Sequence, residues 1–360
     1  MRARARCVAT ALAGTLLFAV AAGFVAPRNV EACGGFFARE AGRKPSLAYE
    51  QVLLIHDAVA EKEHLIREVA FRGGAQPFGF VVPTPTRPEV AKVEKSPFAS
   101  LRTSFPFRLE ASEGVGRGFG NGHGRLGGGV TVLDVSKVGS FTAFVLAADD
   151  EKGLARWLAD NGLASTPEAD EWLAHYVRMK FYFVAMRYDP PATARASDAS
   201  VAPPAPLQAE TIWISFATPI PYYPYFEPRP AHLAPGDAAP ARLLEMWTVT
   251  PARVTPIALR TAGSESVWVR PLQDGPPAVV PGSVTHEVLD SVLAQELRAL
   301  LPPGPLVVQT FQDQKDSREG YGDILFASAT SGGMDASKVA KARPLLGALD
   351  PALVPGSAGK

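Results

Sequence analysis

The apolar and polar positions along the chain fall into short strand-like runs with two amphipathic helices set among them. Tyr49 to His56 (YEQVLLIH) and Glu63 to Phe71 (EHLIREVAF) are rich in β-branched and aliphatic residues and flank the polar stretch Asp57 to Lys62, the pattern of a hairpin. Phe78 to Val82 (FGFVV) predicts a third strand that stops at Pro83, Pro85 and Pro88, because proline has no N–H to give a ladder. Ser96-Pro97 predicts a helix start, a capping hydroxyl followed by a proline whose missing N–H costs nothing at the first helical position. Val130 to Val135 and Ser140 to Ala147 predict two more strands, the second running into a helix from Asp150 to Asp160. That helix sets Leu154, Trp157 and Leu158 on one stripe, and Asn161-Gly162 suits the left-handed turn that ends it. Thr166-Pro167-Glu168 begins a second helix, which carries Trp172, Leu173 and Tyr176 on one face.

Phe181 to Tyr188 (FYFVAMRY) and Leu207 to Phe216 (LQAETIWISF) predict two strands paired with each other. Further strands are predicted near Leu243 to Thr250, Ser266 to Arg270 and Leu306 to Phe311, and helices near Thr285 to Leu301 and Ala336 to Leu346. No solenoid period is present. Two segments break the pattern. Gly114 to Gly129 is a glycine tract and Pro190 to Pro206 is built of Ala, Pro, Ser and Thr; both predict mobile loops. The second reads either as an interdomain linker or as an excursion inside one domain, and its aromatic flanks favour the excursion. The 360 residues therefore predict an α+β protein with a mixed, mainly antiparallel sheet, several packed helices and long Gly/Pro-rich loops, residues 33–360 forming a single domain.

The N-terminus adds a compartment. Arg2, Arg4 and Arg6 precede an unbroken small and apolar run from Val8 to Ala26, and Val30-Glu31-Ala32 places small or β-branched residues where signal peptidase cuts. Residues 1–32 are expected to be a signal peptide and the protein to be exported, to the periplasm, the cell envelope or the medium. The alternative is an uncleaved anchor, since the run approaches the ~20 residues a spanning helix needs, although its alanine-rich composition makes it weakly hydrophobic. Of the two cysteines, Cys7 lies in the leader and Cys33 at the expected mature start, so no internal disulfide is available to the mature chain. Cys33 is a candidate lipid-attachment site or a free thiol, and contact with a membrane is expected only through lipid at Cys33 or an uncleaved leader.

Charge and motifs mainly exclude. Lys and Arg together number 36, as do Asp and Glu, so no net field draws the protein to nucleic acid. Gly122-x-Gly124-x-x-Gly127 has the letters of a dinucleotide fingerprint but lacks the strand before it and the helix after it. His56 and His64, with Asp57, Glu61 and Glu63 beside them, offer imidazole and carboxylate ligands of the kind zinc or manganese takes. The same residues also make an ordinary solvated turn. His286-Glu287 with Asp290 has the shape of a zinc-protease helix without its second histidine. No G-x-S-x-G, C-x-x-C or Walker lysine occurs. No catalytic, cofactor-binding or metal-binding residue is assigned. The segment Ile220 to Pro230 (IPYYPYFEPRP) can present a rigid polyproline surface, with Tyr222, Tyr223 and Tyr225 as candidate contacts for an envelope or extracellular partner. A non-enzymatic partner-binding protein is the first expectation; an exported metal-dependent hydrolase and a structural envelope component are the alternatives.

At Cys33-Gly34-Gly35-Phe36-Phe37 the sequence resembles the opening of a bacterial exported family catalogued as domain of unknown function 2330. Phe78 to Pro88, Val138-Gly139, the W-L-x-x-N-G segment Trp157 to Gly162 and the aromatic strands around Leu207 fit the same family, so the likeness runs from Cys33 to Arg229. Members often carry a second cysteine where this chain has Ala38, which removes a local disulfide. The resemblance implies export and one domain continuing across the proline-rich excursion. The family has no established activity, so no catalytic residues carry over.

Overall fold

The computed structural model describes residues 35–38, 46–72, 78–107, 130–138, 141–163, 165–188, 207–228, 243–262, 265–274, 286–314, 318 and 320–328. The leader, Cys33, the glycine tract, the Pro190 to Pro206 excursion and the helix expected near Ala336 lie outside these residues. The class is α+β, with three sheets, mostly antiparallel, and five helices among the described residues.

The largest sheet is eight-stranded. Its spatial order is β15 (Gln273–Asp274), β16 (Val307–Asp313), β12 (Leu243–Thr250), β2 (Ser46–Asp57), β3 (Lys62–Arg72), β10 (Ile212–Ala217) and β5 (Glu89–Lys92), with β9 (Leu207–Gln208) also beside β3. The expected hairpin is there: β2 and β3 pair antiparallel from Ser46↔Arg72 to Asp57↔Lys62. Its turn is closed by the Asp57 carboxylate, which accepts from the N–H groups of Val59 (2.8 Å) and Ala60 (2.9 Å). On its other edge β2 pairs with β12, the one parallel contact of the sheet, so a strand from far along the chain lies beside the hairpin.

A five-stranded antiparallel sheet covers one face. Its order is β1 (Gly35–Ala38), β4 (Phe78–Thr84), β8 (Tyr182–Tyr188), β7 (Phe141–Ala148) and β6 (Val130–Val138). Phe71 of β3 meets Phe78 edge-on at 4.7 Å between centroids and also approaches Phe80 and Phe141, joining the two sheets through aromatic rings. Helices α2 (Glu151–Asp160) and α3 (Pro167–Arg178) lie beyond, with Trp157 edge-on to Phe144 of β7. Both helices begin as their sequences require: Asp150 accepts from Gly153 N–H at 2.7 Å and Thr166 from Ala169 N–H at 3.3 Å. Gly162 ends α2 at φ +76°. A glycine is required at Gly79, where a Cβ would stand 2.6 Å from Leu163 and 2.7 Å from the Met186 carbonyl.

A four-stranded sheet, β11 (Tyr222–Tyr223), β17 (Ile324–Ser328), β13 (Val254–Ala262) and β14 (Glu265–Val269), contributes to the same core. The opposite face of the large sheet packs a smaller core against α1 (Phe98–Ser104), α4 (His286–Val292) and α5 (Gln295–Arg298).

Four expectations need correction. The strand expected to stop at Pro83 runs on to Thr84, with Pro83 opposite Phe183; β1 pairs no further than Val81, so only one side of Pro83 faces a ladder. Pro97 is the residue that precedes α1 rather than its first helical one, and no side chain caps the helix there. Phe181 to Tyr188 and Leu207 to Phe216 are strands but not partners: β8 pairs with β4 and β7, whereas β9 and β10 pair with β3 and β10 also with β5. Both runs are rich in aromatic and β-branched residues, which suits burial in either sheet and does not specify the neighbour. The helix expected over Thr285 to Leu301 is two short helices, α4 and α5, with Ala294 extended between them at ψ 157°.

Candidate functional site

The three tyrosines expected at a partner surface are inside the protein. Tyr222, Tyr223 and Tyr225 are 0%, 1% and 0% exposed. The reason is that the segment supplies an edge strand, β11 pairing with β17 through Tyr222↔Leu325 and Tyr223↔Ile324, and every phenol finds a buried partner. Tyr222 donates to Asp323 at 2.6 Å, Tyr225 to Asp313 at 2.7 Å, and the Tyr223 hydroxyl bonds to the Glu50 carboxylate. Trp172 of α3 holds the segment from behind, its indole N–H donating to the Phe226 carbonyl at 2.9 Å.

This side of the large sheet carries a chain of enclosed charges. Asp323 accepts four hydrogen bonds, from the hydroxyls of Tyr176 and Tyr222 and the N–H groups of Tyr225 (2.8 Å) and Phe226 (2.9 Å). Desolvation nevertheless pushes its carboxyl up to about 6, against those four donors. Arg318, 1% exposed, lies between Asp313 (2.9 Å) and Glu227 (3.2 Å) and stacks 4.2 Å above the Tyr225 ring. Glu50 pairs with Arg67 at 2.5 Å. Glu63 accepts from Tyr222 N–H at 2.7 Å, and burial pushes its carboxyl well above the usual range, against that hydrogen bond.

The register of the hairpin separates the two histidines. His56 stands opposite Glu63 and His64 opposite Ile55, so His56 and His64 point to opposite faces of the sheet and cannot ligate one ion. His56 meets the Thr218 carbonyl at 3.1 Å; His64 meets the Ser215 hydroxyl through Nδ1 and receives the Trp213 indole N–H at 3.1 Å. With Nδ1 accepting, the ring is neutral, in keeping with a value lowered to about 4 by burial and by nearby Lys62. Asp57 is occupied by its own turn. Among the described residues no three His, Cys, Asp or Glu side chains come together as a metal would need. His286, at the start of α4, meets the Gly304 carbonyl, and Glu287 and Asp290 face solvent.

The feature the sequence did not reveal lies on the helix-facing side of the large sheet. Gln312 of β16 stands opposite Glu245 of β12, Glu245 opposite Gln51 of β2, and Gln51 opposite Glu68 of β3. Thr211, just before β10, donates to Glu68 at 2.5 Å. Directly opposed residues on neighbouring strands point the same way, so these five side chains form one polar row across the sheet. All are buried: Gln312 7%, Glu245 1%, Gln51 5%, Glu68 7%, Thr211 4% exposed. One step along β2, β3 and β12 the same face is apolar, with Leu53, Ile66 and Trp247 under the helices.

Glu245 is the centre of the row. It accepts from Tyr49 (2.5 Å), from Arg102 of α1 (2.7 Å) and, at a long 3.5 Å, from Gln51. Burial raises its carboxyl, while Arg102 opposes that. Two donors are unmatched: Gln312 Nε2 and Arg102 Nε are both shielded and meet no acceptor. The row is continued at one end by Gln273 of the edge strand β15, opposite Gln312 and exposed. The detectable signal was a polar residue at the same phase inside several strand-like runs, Gln51, Glu68, Glu245 and Gln312, although only the register shows that they meet.

The profile of a family described as an uncharacterized protein conserved in bacteria, domain of unknown function 2330, matches residues 27–211. No curated protein matches the chain.

Proposed function

The chain belongs to this conserved bacterial family, and on that premise we propose that it is an exported, non-enzymatic protein of the cell envelope or medium, acting by binding through the helix-facing polar row. Export is supported by the arginine-led apolar leader and its cleavage-type residues before Cys33. Binding is supported by one observation above all: Gln312, 93% enclosed, holds an amide N–H₂ with no acceptor at the head of a row of polar side chains. Buried donors in native proteins are nearly always paired, and an unpaired one calls for a physical reason. A ligand that supplies the acceptor is such a reason.

The metal-hydrolase alternative loses its ligand set, because the register turns His56 and His64 apart. Mass spectrometry of the native N-terminus tests export. A start at Cys33, with or without a lipid adduct, is expected; Met1 retained on cytosolic protein overturns the reading. The native mature protein, immobilised and exposed to envelope extract, is expected to retain a component that Glu245→Gln and Gln312→Met forms do not retain. Retention of nothing overturns the binding function.

A further inference from the structure

We propose that the end of the molecule carrying the hairpin turn Asp57 to Lys62 docks on a lipid bilayer, with Val59 entering the membrane interface; the assignment rests on the export proposed above. Val59 is 91% exposed, the most of any large apolar side chain among the described residues. Its turn is fixed from several sides. Asp57 accepts from the N–H groups of Val59 and Ala60, Thr218 N–H donates to the Glu61 carbonyl at 2.8 Å, and Lys62 pairs with Glu89 at 3.4 Å. Ala217, the ladder partner of Lys62, is tied to the neighbouring loop by Thr86, whose hydroxyl accepts from its N–H (2.9 Å) and donates to its carbonyl (2.8 Å). The two N–H groups at the apex therefore already have an acceptor. Entry into a region poor in water leaves neither of them unpaired.

A single exposed valine is ordinary on a protein surface. What gives this one a partner is the place where the chain outside the structure joins the body. β1 begins at Gly35, opposite Val81, and β4 runs on from Val81 to Thr84, about 10 Å further. Thr84 opens the loop that Thr86 ties to Ala217, so β1 starts toward the same end of the molecule as the turn. Cys33 is two residues from Gly35 and is held within ~7 Å of it; Ala26, where the apolar leader run ends, is held within ~30 Å. The far end of β2, a strand of 12 residues, is about 40 Å from the turn. A lipid on Cys33 or a retained leader therefore brings the turn's end of the body to the bilayer. Once the body is tethered, the effective concentration of the membrane surface is high, and the roughly tenfold preference gained by burying one valine decides which side lies down.

Val267, next in exposure at 54%, has no such place. It stands opposite Arg260, which bridges to Tyr321; Tyr321 packs on Tyr225, and Tyr225 donates to Asp313, level with Leu244 and Glu50. Glu50 lies seven residues back along β2 from Asp57, about 24 Å from the turn.

The test places a tryptophan at each valine. Native mature protein carrying Val59→Trp or Val267→Trp is reconstituted on vesicles of phosphatidylethanolamine and phosphatidylglycerol with brominated acyl chains, which quench an indole in contact with lipid. The emission added by Val59→Trp should be mostly lost, and that added by Val267→Trp unchanged. In the unaltered protein, amide exchange over residues 57–62 should slow on the same vesicles without bromine. Quenching of Val267→Trp alone, of both variants alike, or of neither on vesicle-bound protein overturns the docking surface and leaves export standing. So does a native mass with Cys33 bare and the leader removed, because no tether then remains. Slowed exchange produced by a protein fraction of the envelope and by no vesicle overturns it in favour of a protein pocket. Met1 retained on cytosolic protein overturns both the surface and export.

Discussion

The two faces of the eight-stranded sheet bury polar groups in different ways. Toward the other sheets, opposite charges and hydroxyls meet at close range: Arg318 with Asp313 and Glu227, Arg67 with Glu50, and Asp323 with two phenols and two N–H groups. Toward the helices, the polar row has one tight centre at Glu245 and unmatched donors around it. The first arrangement is what a buried polar network needs in order to specify one packing, since each member removed leaves another uncompensated. Unused hydrogen-bonding atoms occur on both faces, but on the first, as at Glu50 Oε2 and Arg318 Nη2, they sit on residues whose other atoms are ion-paired, whereas the Gln312 amide N–H₂ on the second has no acceptor, which is a cost to folding. The faces should therefore respond to substitution with opposite signs.

The largest effect is expected at Arg318. Arg318→Met leaves Asp313 and Glu227 facing each other without the cation and should cost about 3–5 kcal/mol, the usual penalty for breaking a buried pair from one side. Urea unfolding of the variant checks it. A loss below about 1 kcal/mol would mean that the charges are not held as described.

The titrating groups on the two faces come next. Asp323 has its folded value raised from 3.8 to about 6, so its contribution is complete below pH 4 and is lost as pH rises through 6. His64, lowered from 6.5 to about 4, contributes fully above pH 6.5, and that is lost as pH falls through 4. Each amounts to about 3 kcal/mol at ~1.4 kcal/mol per unit, and the two oppose each other over nearly the same window. Relative to the parent, His64→Gln should make stability fall more steeply as pH rises from 4 to 6.5, and Asp323→Asn should tilt it the other way. Urea midpoints across that range read both. Parallel pH profiles for the parent and both variants would contradict the two environments.

Tyr222→Phe is expected to cost less, about 1.5–3 kcal/mol for a hydrogen bond to a carboxylate. Because the Tyr222 hydroxyl lowers the Asp323 value, its loss should also move that titration upward. Carbon-detected NMR of the Asp323 carboxyl follows the shift directly.

Much of the local structure was legible in the chain. Asp150 and Thr166 cap α2 and α3 as their side chains allow, Gly162 takes the left-handed turn, and Asp57 to Lys62 closes the hairpin. What the pattern could not give was pairing between distant runs. Nothing in LLEMWTVT says that Leu243–Thr250 will lie parallel to β2, and nothing in FYFVAMRY distinguishes β4 and β7 from β10 as neighbours, because a run rich in aromatic and β-branched residues suits any buried slot. The tyrosine segment misled for a related reason. Its prolines suit an exposed polyproline turn, but Asp313, Asp323 and Glu50, which draw the phenols inward, lie far away in sequence. The row failed to show for the same cause: each of its polar residues looks like an isolated irregularity within its own strand.

The smallest effect is the most discriminating. Gln312→Met keeps the side chain's length and removes an amide whose N–H₂ is buried without an acceptor. A group that stabilises the fold loses stability when replaced, as Arg318 and Tyr222 should. A donor held for a ligand does the reverse in the ligand-free protein, since desolvating it unpaired costs about 1–3 kcal/mol and methionine avoids that cost. The expected outcome is a gain of about 1 kcal/mol in the free protein, read from urea unfolding. A loss of that size would show that Gln312 belongs to the packing after all, and the contrast between the two faces of the sheet would disappear.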